Sequence, residues 1–262
     1  PEARLSERQR RWLDPLGPAA TAAARLLHLV DRALVRGLFR VRVEGLSRLP
    51  ADDATVVFAP NHVSFMDPFV MAAVLPWSRL RNTHWAGWVG VAFSNPLERW
   101  FSRVTRTLPV DPQQGMLSSL AFAAAALGRE RSLVWFPEGQ RSPDGTLQPL
   151  KPGLGIVLES RPATVVPVYL LGTNQALPPG SRRPRLLRRI TVRFGEPVEV
   201  STLDAEGEAE ERRERLMDGL RGRLEALADA PSGDGGEGGE APGNEHSGPE
   251  DRRRKDQQDD GR

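Results

Sequence analysis

The chain has no cysteine, one tyrosine, four histidines and only two lysines, Lys151 and Lys255, among its 36 basic residues. The missing cysteines exclude a disulfide framework, thiolate metal ligands and a thiol nucleophile. His28 and His84 show no ligand spacing with His62, so no metal site is expected. No uninterrupted apolar run approaches the roughly 20 residues that span a bilayer. No secretory signal pattern stands near Pro1, although a shortened start would hide one. No internal repeat is present, which excludes solenoids and propellers. Neither sign of charge dominates: 36 basic residues face 34 acidic ones, for a net charge of +2. That excess is too small to argue for nucleic acid, and no nucleic-acid motif accompanies it.

The charge that is present is unevenly placed. From Pro231 onward the chain is Gly, Pro, Glu, Asp and Arg with almost no apolar residue, and it holds nine acidic and five basic residues. Such a segment cannot offset its own ordering entropy and is predicted to be a disordered tail, residues 231–262. The remainder carries 31 basic against 25 acidic residues, which suits an anionic partner such as phosphate, a coenzyme or a lipid surface. Arginine so outnumbers lysine that a GC-rich, bacterial-like genome is expected. Residues 1–18 are polar, Arg-rich and closed by Pro15-Leu16-Gly17-Pro18, and read as a linker. Pro1 is not a start methionine, so a longer precursor is expected.

Periodicity then sets the elements. Over residues 19–40, Leu26, Leu27, Leu29, Val30, Ala33, Leu34 and Leu38 share one helical face, and Arg25, His28, Asp31, Arg32 and Arg36 share the other. Two placements fit: a helix lying on the core, or an interfacial helix with its arginines at lipid phosphates. Residues 41–230 read as one domain. Val41–Gly45 alternates as a short strand, and Thr55–Pro60 is a continuous apolar run suited to a buried central strand. Further strands are predicted near 83–86, 107–110, 132–136, 164–171 and 190–194. Helices are predicted over 69–75, 89–104, 115–129 and 153–160, with a last one striped by Leu216, Leu220, Leu224 and Leu227. Strands and helices alternate, so the fold class is α/β, with helices flanking a mixed, largely parallel sheet.

Three clusters carry chemistry. His62 and Asp67 are separated by four residues at a strand-to-helix turn, and such turns at the carboxyl ends of strands build the crevice of open α/β sheets. Histidine can take a proton from a substrate hydroxyl near neutral pH, and a carboxylate beside it can hold the ring and stabilise the imidazolium. Asp67-Pro68 is also good helix-start chemistry, and His62 alone is also what a core histidine looks like. The second cluster is Phe136-Pro137-Glu138-Gly139-Gln140-Arg141-Ser142, after the apolar run Ser132–Trp135. Glycine admits close backbone approach, and Arg141 offers a fork that matches phosphate oxygens. Glu138 is placed either to order Arg141 or to accept a glycerol hydroxyl. Ser142-Pro143-Asp144-Gly145 equally makes an ordinary turn. The third is Val165-Val166-Pro167-Val168-Tyr169, a buried strand, preceded by Lys151-Pro152-Gly153 at a helix start that is a candidate anion site.

Together, Asn61-His62-x4-Asp67, Phe136-Pro137-Glu138-Gly139-x-Arg141-Ser142 and Val166-Pro167-Val168, in this order and spacing over roughly residues 40–200, closely resemble the glycerolipid acyltransferase family of the phosphate acyltransferase type. The resemblance implies transfer of a fatty acyl group from acyl-CoA or acyl-carrier protein to a hydroxyl of lysophosphatidic acid or a related lysophospholipid, as in 1-acylglycerol-3-phosphate acyltransferases, with no bound cofactor. It implies His62 as base, Asp67 as its partner, and Glu138, Gly139 and Arg141 at the acceptor, with Ser142 and Lys151 beside them. The chain departs from the family at Gln140, where a threonine or similar small residue is usual, and at Pro112, where an arginine often follows the Val-Asp pair. Arg103 and Arg106 precede that point and are the expected substitutes. The linker and missing methionine resemble acyltransferase domains fused behind acyl-activating ligases. A peripheral position on an anionic membrane, at the cytoplasmic face of the plasma membrane, is expected. A catalytically silent lipid-binding module and a thioester hydrolase are the competing readings.

Overall fold

The computed structural model describes residues 5–110, 115–181, 183–200 and 208–231. Its first element corrects the linker expected over residues 1–18. Ser6 caps helix α1 (Glu7–Trp12), accepting from Gln9 N while Gln9 reaches back to the Ser6 N–H. Leu5 and Leu13 are almost fully buried in the core. Two leucines with a cap between them anchor a segment that its composition alone marks as polar. Gly17-Pro18 then opens α2 (Pro18–Leu38), with Pro18 in the first turn.

β1 (Arg40–Glu44) and β2 (Val56–Pro60) follow, joined by a short 3-10 turn at Leu46–Arg48. α3 (Asp67–Val74) stops before Pro76, whose ring biases Leu75 to the extended conformation it adopts. After α4 (Trp77–Leu80) and β3 (Thr83–Trp88), the helix expected over 89–104 is two helices, α5 (Val89–Ala92) and α6 (Pro96–Val104). The break lies at Asn95-Pro96: Asn95 is extended and accepts from Glu98 N as a new N-cap. β4 (Thr107–Val110), α7 (Met116–Gly128), β5 (Ser132–Val134), α8 (Gly153–Ser160), β6 (Thr164–Leu171), α9 (Thr173–Ala176), β7 (Arg189–Phe194), β8 (Val198–Glu199) and α10 (Ala209–Asp229) complete the described chain. Residues 232–262, which contain nearly all of the expected tail, lie outside the described residues.

The strands form one sheet in the order β1-β7-β6-β2-β5-β3-β4, with β8 on β6. β6, β2, β5, β3 and β4 run parallel, whereas β7 meets β6 antiparallel and β1 follows β7. The expected α/β class with a mixed, largely parallel sheet is therefore the observed one. β2 shows why a central strand reads as an unbroken apolar run. Val57 and Ala59 point into a core shared with α7, α8 and α10, and Val56 and Phe58 into one shared with α2 and α3. Both faces are covered, so neither can be polar, and each buried side chain contributes on the order of 1.5–3 kcal/mol.

The two longest helices dock differently. α10 sets Leu216, Met217, Leu220 and Leu224 into the first core, and the buried Arg193 of β7 donates to the carbonyls of Leu227 and Ala228 at its end. α2 turns the other way. His28 and Val35 are its buried side chains, His28 stacks on Trp77, and Arg32 donates to the Ala73 carbonyl of α3. Its leucine face looks outward: Leu26 is 62% exposed, Leu29 54%, Val30 47% and Leu34 53%. Of the two placements open from sequence, the helix lies on the body, but with His28 buried, Asp31 and Arg32 half-buried, and Leu26, Leu29, Val30 and Leu34 in solvent.

Candidate active site

The site grows from the carboxyl end of β2. As the strand leaves the sheet, Asn61 extends the ladder with its side chain: Nδ2 donates to Leu170 O at 3.2 Å and Oδ1 accepts from Leu170 N at 2.6 Å. The backbone N–H groups from Asn61 to Ser64 are all taken. Asn61 N donates to Val168 O, His62 N to Glu138 Oε1 at 2.5 Å, and Val63 N and Ser64 N to Asp67 Oδ2 at 2.7 and 2.8 Å. The turn is thus fixed before any side-chain chemistry is considered.

On this turn the His62 ring lies 4.1 Å from the Phe136 ring, tilted by 29°, and its Nδ1 is 2.8 Å from Asp67 Oδ2. A carboxylate only accepts, so Nδ1 carries the proton and Nε2 keeps the lone pair. Asp67 is fully buried, and its first-turn position in α3 does not make it the N-cap; Met66 holds that place. Its carboxylate reaches back to the turn and the imidazole instead of capping the helix.

The second cluster separates into supports and exposed groups. Glu138 is fully buried, with Oε1 held by His62 N and Oε2 by Gln148 N at 2.8 Å. Burial pushes its carboxyl above the usual range, and the two backbone donors oppose that shift. This corrects its expected placement: Glu138 touches neither Arg141 nor open space, and instead ties the His62 turn to the 136–151 loop. Ser142 is likewise buried, its N–H on His62 O and its hydroxyl shared with Asp144 Oδ1 and Gly145 N, so it builds a turn and has no free face for a substrate. Gly139 sits at φ +69°, and a Cβ there would meet Lys151 Cγ at 3.2 Å; this backbone favours glycine. Lys151 is exposed beside it, its N–H on Pro137 O. Arg141 is exposed with its guanidinium 5.8 Å from the Phe65 ring centre, and no carboxylate among the described residues pairs with it.

These groups span one stretch of chain. The acyltransferase family model matches residues 40–171, half of the sequence. The chain belongs to the acyltransferase family. The chloroplastic 1-acyl-sn-glycerol-3-phosphate acyltransferase LPAT1 of Arabidopsis thaliana is 28% identical over 169 residues, 63% of this chain and 46% of that protein. The 1-acyl-sn-glycerol-3-phosphate acyltransferase of Limnanthes alba is 30% identical over 155 residues, 54% of this chain and 50% of that one. The chain thus spans about half the length of these curated relatives. Among solved structures, the crystal structure of the 1-acyl-sn-glycerophosphate (LPA) acyltransferase PlsC from Thermotoga maritima matches with a TM-score of 0.62 at 21% identity, covering 88% of this chain and 87% of that one. That likeness is one of fold.

Two expected members of the acyltransferase site are elsewhere. Arg103 donates to the carbonyls of Trp12, Asp14 and Arg11 and lies over the Trp12 ring. Arg106 precedes β4 at φ +59°, where burial, then Arg131, Arg103 and Arg81, push its guanidinium down to about 10. Because β4 runs parallel to β5 and β2 through β3, residues before Thr107 lie at the end of the sheet opposite His62. Neither arginine stands in for the one missing at Pro112, and Asp111 and Pro112 lie outside the described residues. Conversely, Asn61, Phe136 and Phe65 shape the site without having been assigned a part. The pair Leu170–Asn61 spans 109 residues, and no local pattern announces it.

Proposed function

We propose that the chain transfers a fatty acyl group from an acyl thioester, acyl-CoA or acyl-carrier protein, to a hydroxyl of lysophosphatidic acid or a closely related lysophospholipid. The observation that carries this reading is the His62 imidazole held by Asp67 at 2.8 Å through Nδ1, on a turn whose N–H groups from Asn61 to Ser64 are all bonded. The printed names of the relatives point the same way. In this reading Nε2 takes the proton of the acceptor hydroxyl as its oxygen attacks the thioester carbonyl. The tetrahedral adduct collapses, the C–S bond breaks, and the imidazolium returns the proton to the departing sulfur. Asp67 stabilises the imidazolium and keeps the ring from turning. Glu138 holds the His62 turn from behind. Arg141 and Lys151 are the cations left free to receive the acceptor's phosphate, with Arg141 pre-oriented by Phe65.

Lysophospholipids and long acyl thioesters partition into membranes, so the reaction belongs at a lipid surface. The outward leucines of α2 suit that place. No helix among the described residues is long and apolar enough to cross a membrane. We therefore assign the chain a peripheral position on an anionic membrane at its cytoplasmic face. The test is thiol release from acyl-CoA with and without lysophosphatidic acid. Release that needs the acceptor supports transfer. Equal release without it would make the protein a thioester hydrolase, and no release from acyl-CoA or, in a parallel assay, from acyl-carrier protein would make it a silent binding module. Arg141→Ala should raise the acceptor KM about tenfold or more, since a charge-assisted bond to phosphate is lost, while donor-only hydrolysis changes less.

A further inference from the structure

Between α9 and β7 the chain makes an excursion that the acyltransferase chemistry does not use. It runs from Leu177 to Arg188 and includes Arg183-Pro184-Arg185-Leu186-Leu187-Arg188, followed by Arg189 at the start of β7. Arg183, Arg185, Arg188 and Arg189 are all exposed, and among the described residues none of their side chains has an ion-pair partner. No aspartate or glutamate occurs in the sequence between Glu159 and Glu196. At the centre of this positive stretch, Leu186 is 54% and Leu187 63% exposed.

The two leucines are held out by a fixed backbone. Arg185 N donates to Ala176 O, Leu187 N to Leu38 O at the end of α2, and Arg40 N to Arg188 O. Leu187 adopts φ +58°, a left-handed conformation that glycine or asparagine would take at less cost. A leucine there strains the backbone and leaves 63% of its surface exposed, so burial within the protein is a poor reason for it. The excursion is also joined to the site. Its first residue, Leu177, accepts through its carbonyl from the Ser64 hydroxyl at 3.0 Å, on the same turn as His62 and beside the exposed Phe65.

We propose that residues 183–189 form a contact selective for anionic bilayers, with Leu186 and Leu187 entering the interfacial layer and Arg183, Arg185, Arg188 and Arg189 lying at lipid phosphates. The proposal rests on the reading that the protein works at a lipid surface, and it adds what that reading lacks. The exposed leucines of α2 are apolar and would enter neutral and charged lipid alike, whereas arginines flanking two exposed leucines would distinguish them. By its position the contact would bring the mouth of the site to the lipid surface.

The experiment is flotation of the full chain with vesicles of phosphatidylcholine alone and of phosphatidylcholine with about 30 mol % phosphatidylglycerol, at low and high salt. Two variants accompany it: Arg185→Glu with Arg188→Glu, and Leu186→Ser with Leu187→Gly. The second also relieves the strained φ, so it should unfold at the parent temperature or above. Circular dichroism and thiol release on detergent-dispersed substrate verify that both are folded and active. The parent should bind the anionic vesicles more tightly, and salt should remove the difference. Charge reversal should weaken binding to anionic vesicles about tenfold or more and leave neutral vesicles unaffected, and the leucine variant should weaken binding to the anionic ones. Equal binding of parent and charge-reversed protein to anionic vesicles would overturn the proposal while leaving α2 as the anchor. Failure of the parent to float with either vesicle would overturn it together with the lipid-surface reading. Unchanged flotation with loss of transfer from acyl-carrier protein alone would overturn it in favour of an acidic protein partner.

Discussion

Helices α2 and α10 are each 21 residues long, each striped with leucine on one face and charge on the other, yet their stripes meet opposite fates. In α10, Leu220 and Leu224 are buried, Arg213 pairs with Glu159 at 3.0 Å, and Arg193 holds the helix end. In α2 Leu26, Leu29 and Leu34 face solvent, while His28 stacks on Trp77 of α4 and Arg32 donates to the Ala73 carbonyl of α3. A periodic apolar face states that something must cover it. It does not state what. For α10 the cover is the sheet. For α2 no described residue covers Leu26, Leu29, Val30 or Leu34, and the proposed lipid surface is the cover that fits the proposed substrates.

The sharpest way to break this contrast is the same substitution in both helices. Leu224→Ala, at a fully buried position, should cost about 2–5 kcal/mol in urea unfolding. Leu29→Ala, at a position 54% exposed, should stay within about 0.5 kcal/mol of the parent. Equal losses would mean that the α2 stripe is also covered by protein. Next in size, Leu26→Ala, Leu29→Ala and Leu34→Ala together should lower partition onto neutral vesicles by at least about tenfold, given the apolar area removed, with the melting temperature unchanged. Unaltered partition would take α2 out of membrane contact.

A smaller effect probes the inner face of α2. Burial pushes the Asp31 carboxyl up to about 7, and one of its oxygens has no partner. A raised acid pKa favours the folded state at low pH, and that advantage is lost as pH rises from about 4 through about 7. Asp31→Asn should therefore raise the melting temperature by a few degrees, about 3 °C, when measured at about pH 8 and leave it unchanged at about pH 4. A gain that is the same at both pH values would show that Asp31 does not titrate against the fold.

How much could be read beforehand followed the range of the interactions. The unbroken run Val56–Pro60, the alternation of elements and the ends at Pro18 and Pro76 are local signals, and the sheet bears them out. The first helix is not legible in a polar composition, because Leu5 and Leu13 outweigh it only once they join a core built by β2 and the elements after it. The break within 89–104 was legible in Asn95-Pro96 but was outweighed by the apolar pattern on both sides. In the site, His62 and Asp67 share one turn and were found from spacing. Glu138 and Ser142 belong to the same motif as the exposed Arg141, yet both are buried, because a motif shows which groups are together and not which of them face inward. Arg103 and Arg106 failed for a geometric reason: four residues of strand separate them from the site end of the sheet.

In the proposed reaction everything turns on His62, oriented by Asp67, taking the proton of the acceptor hydroxyl. His62→Ala tests it directly, because the backbone N–H that bonds Glu138 survives the substitution and the turn keeps its support. Acceptor-dependent thiol release should fall by about 10²–10⁴, in a protein whose circular dichroism and melting temperature match the parent. A folded His62→Ala protein that acylates lysophosphatidic acid at the parent rate would contradict the account.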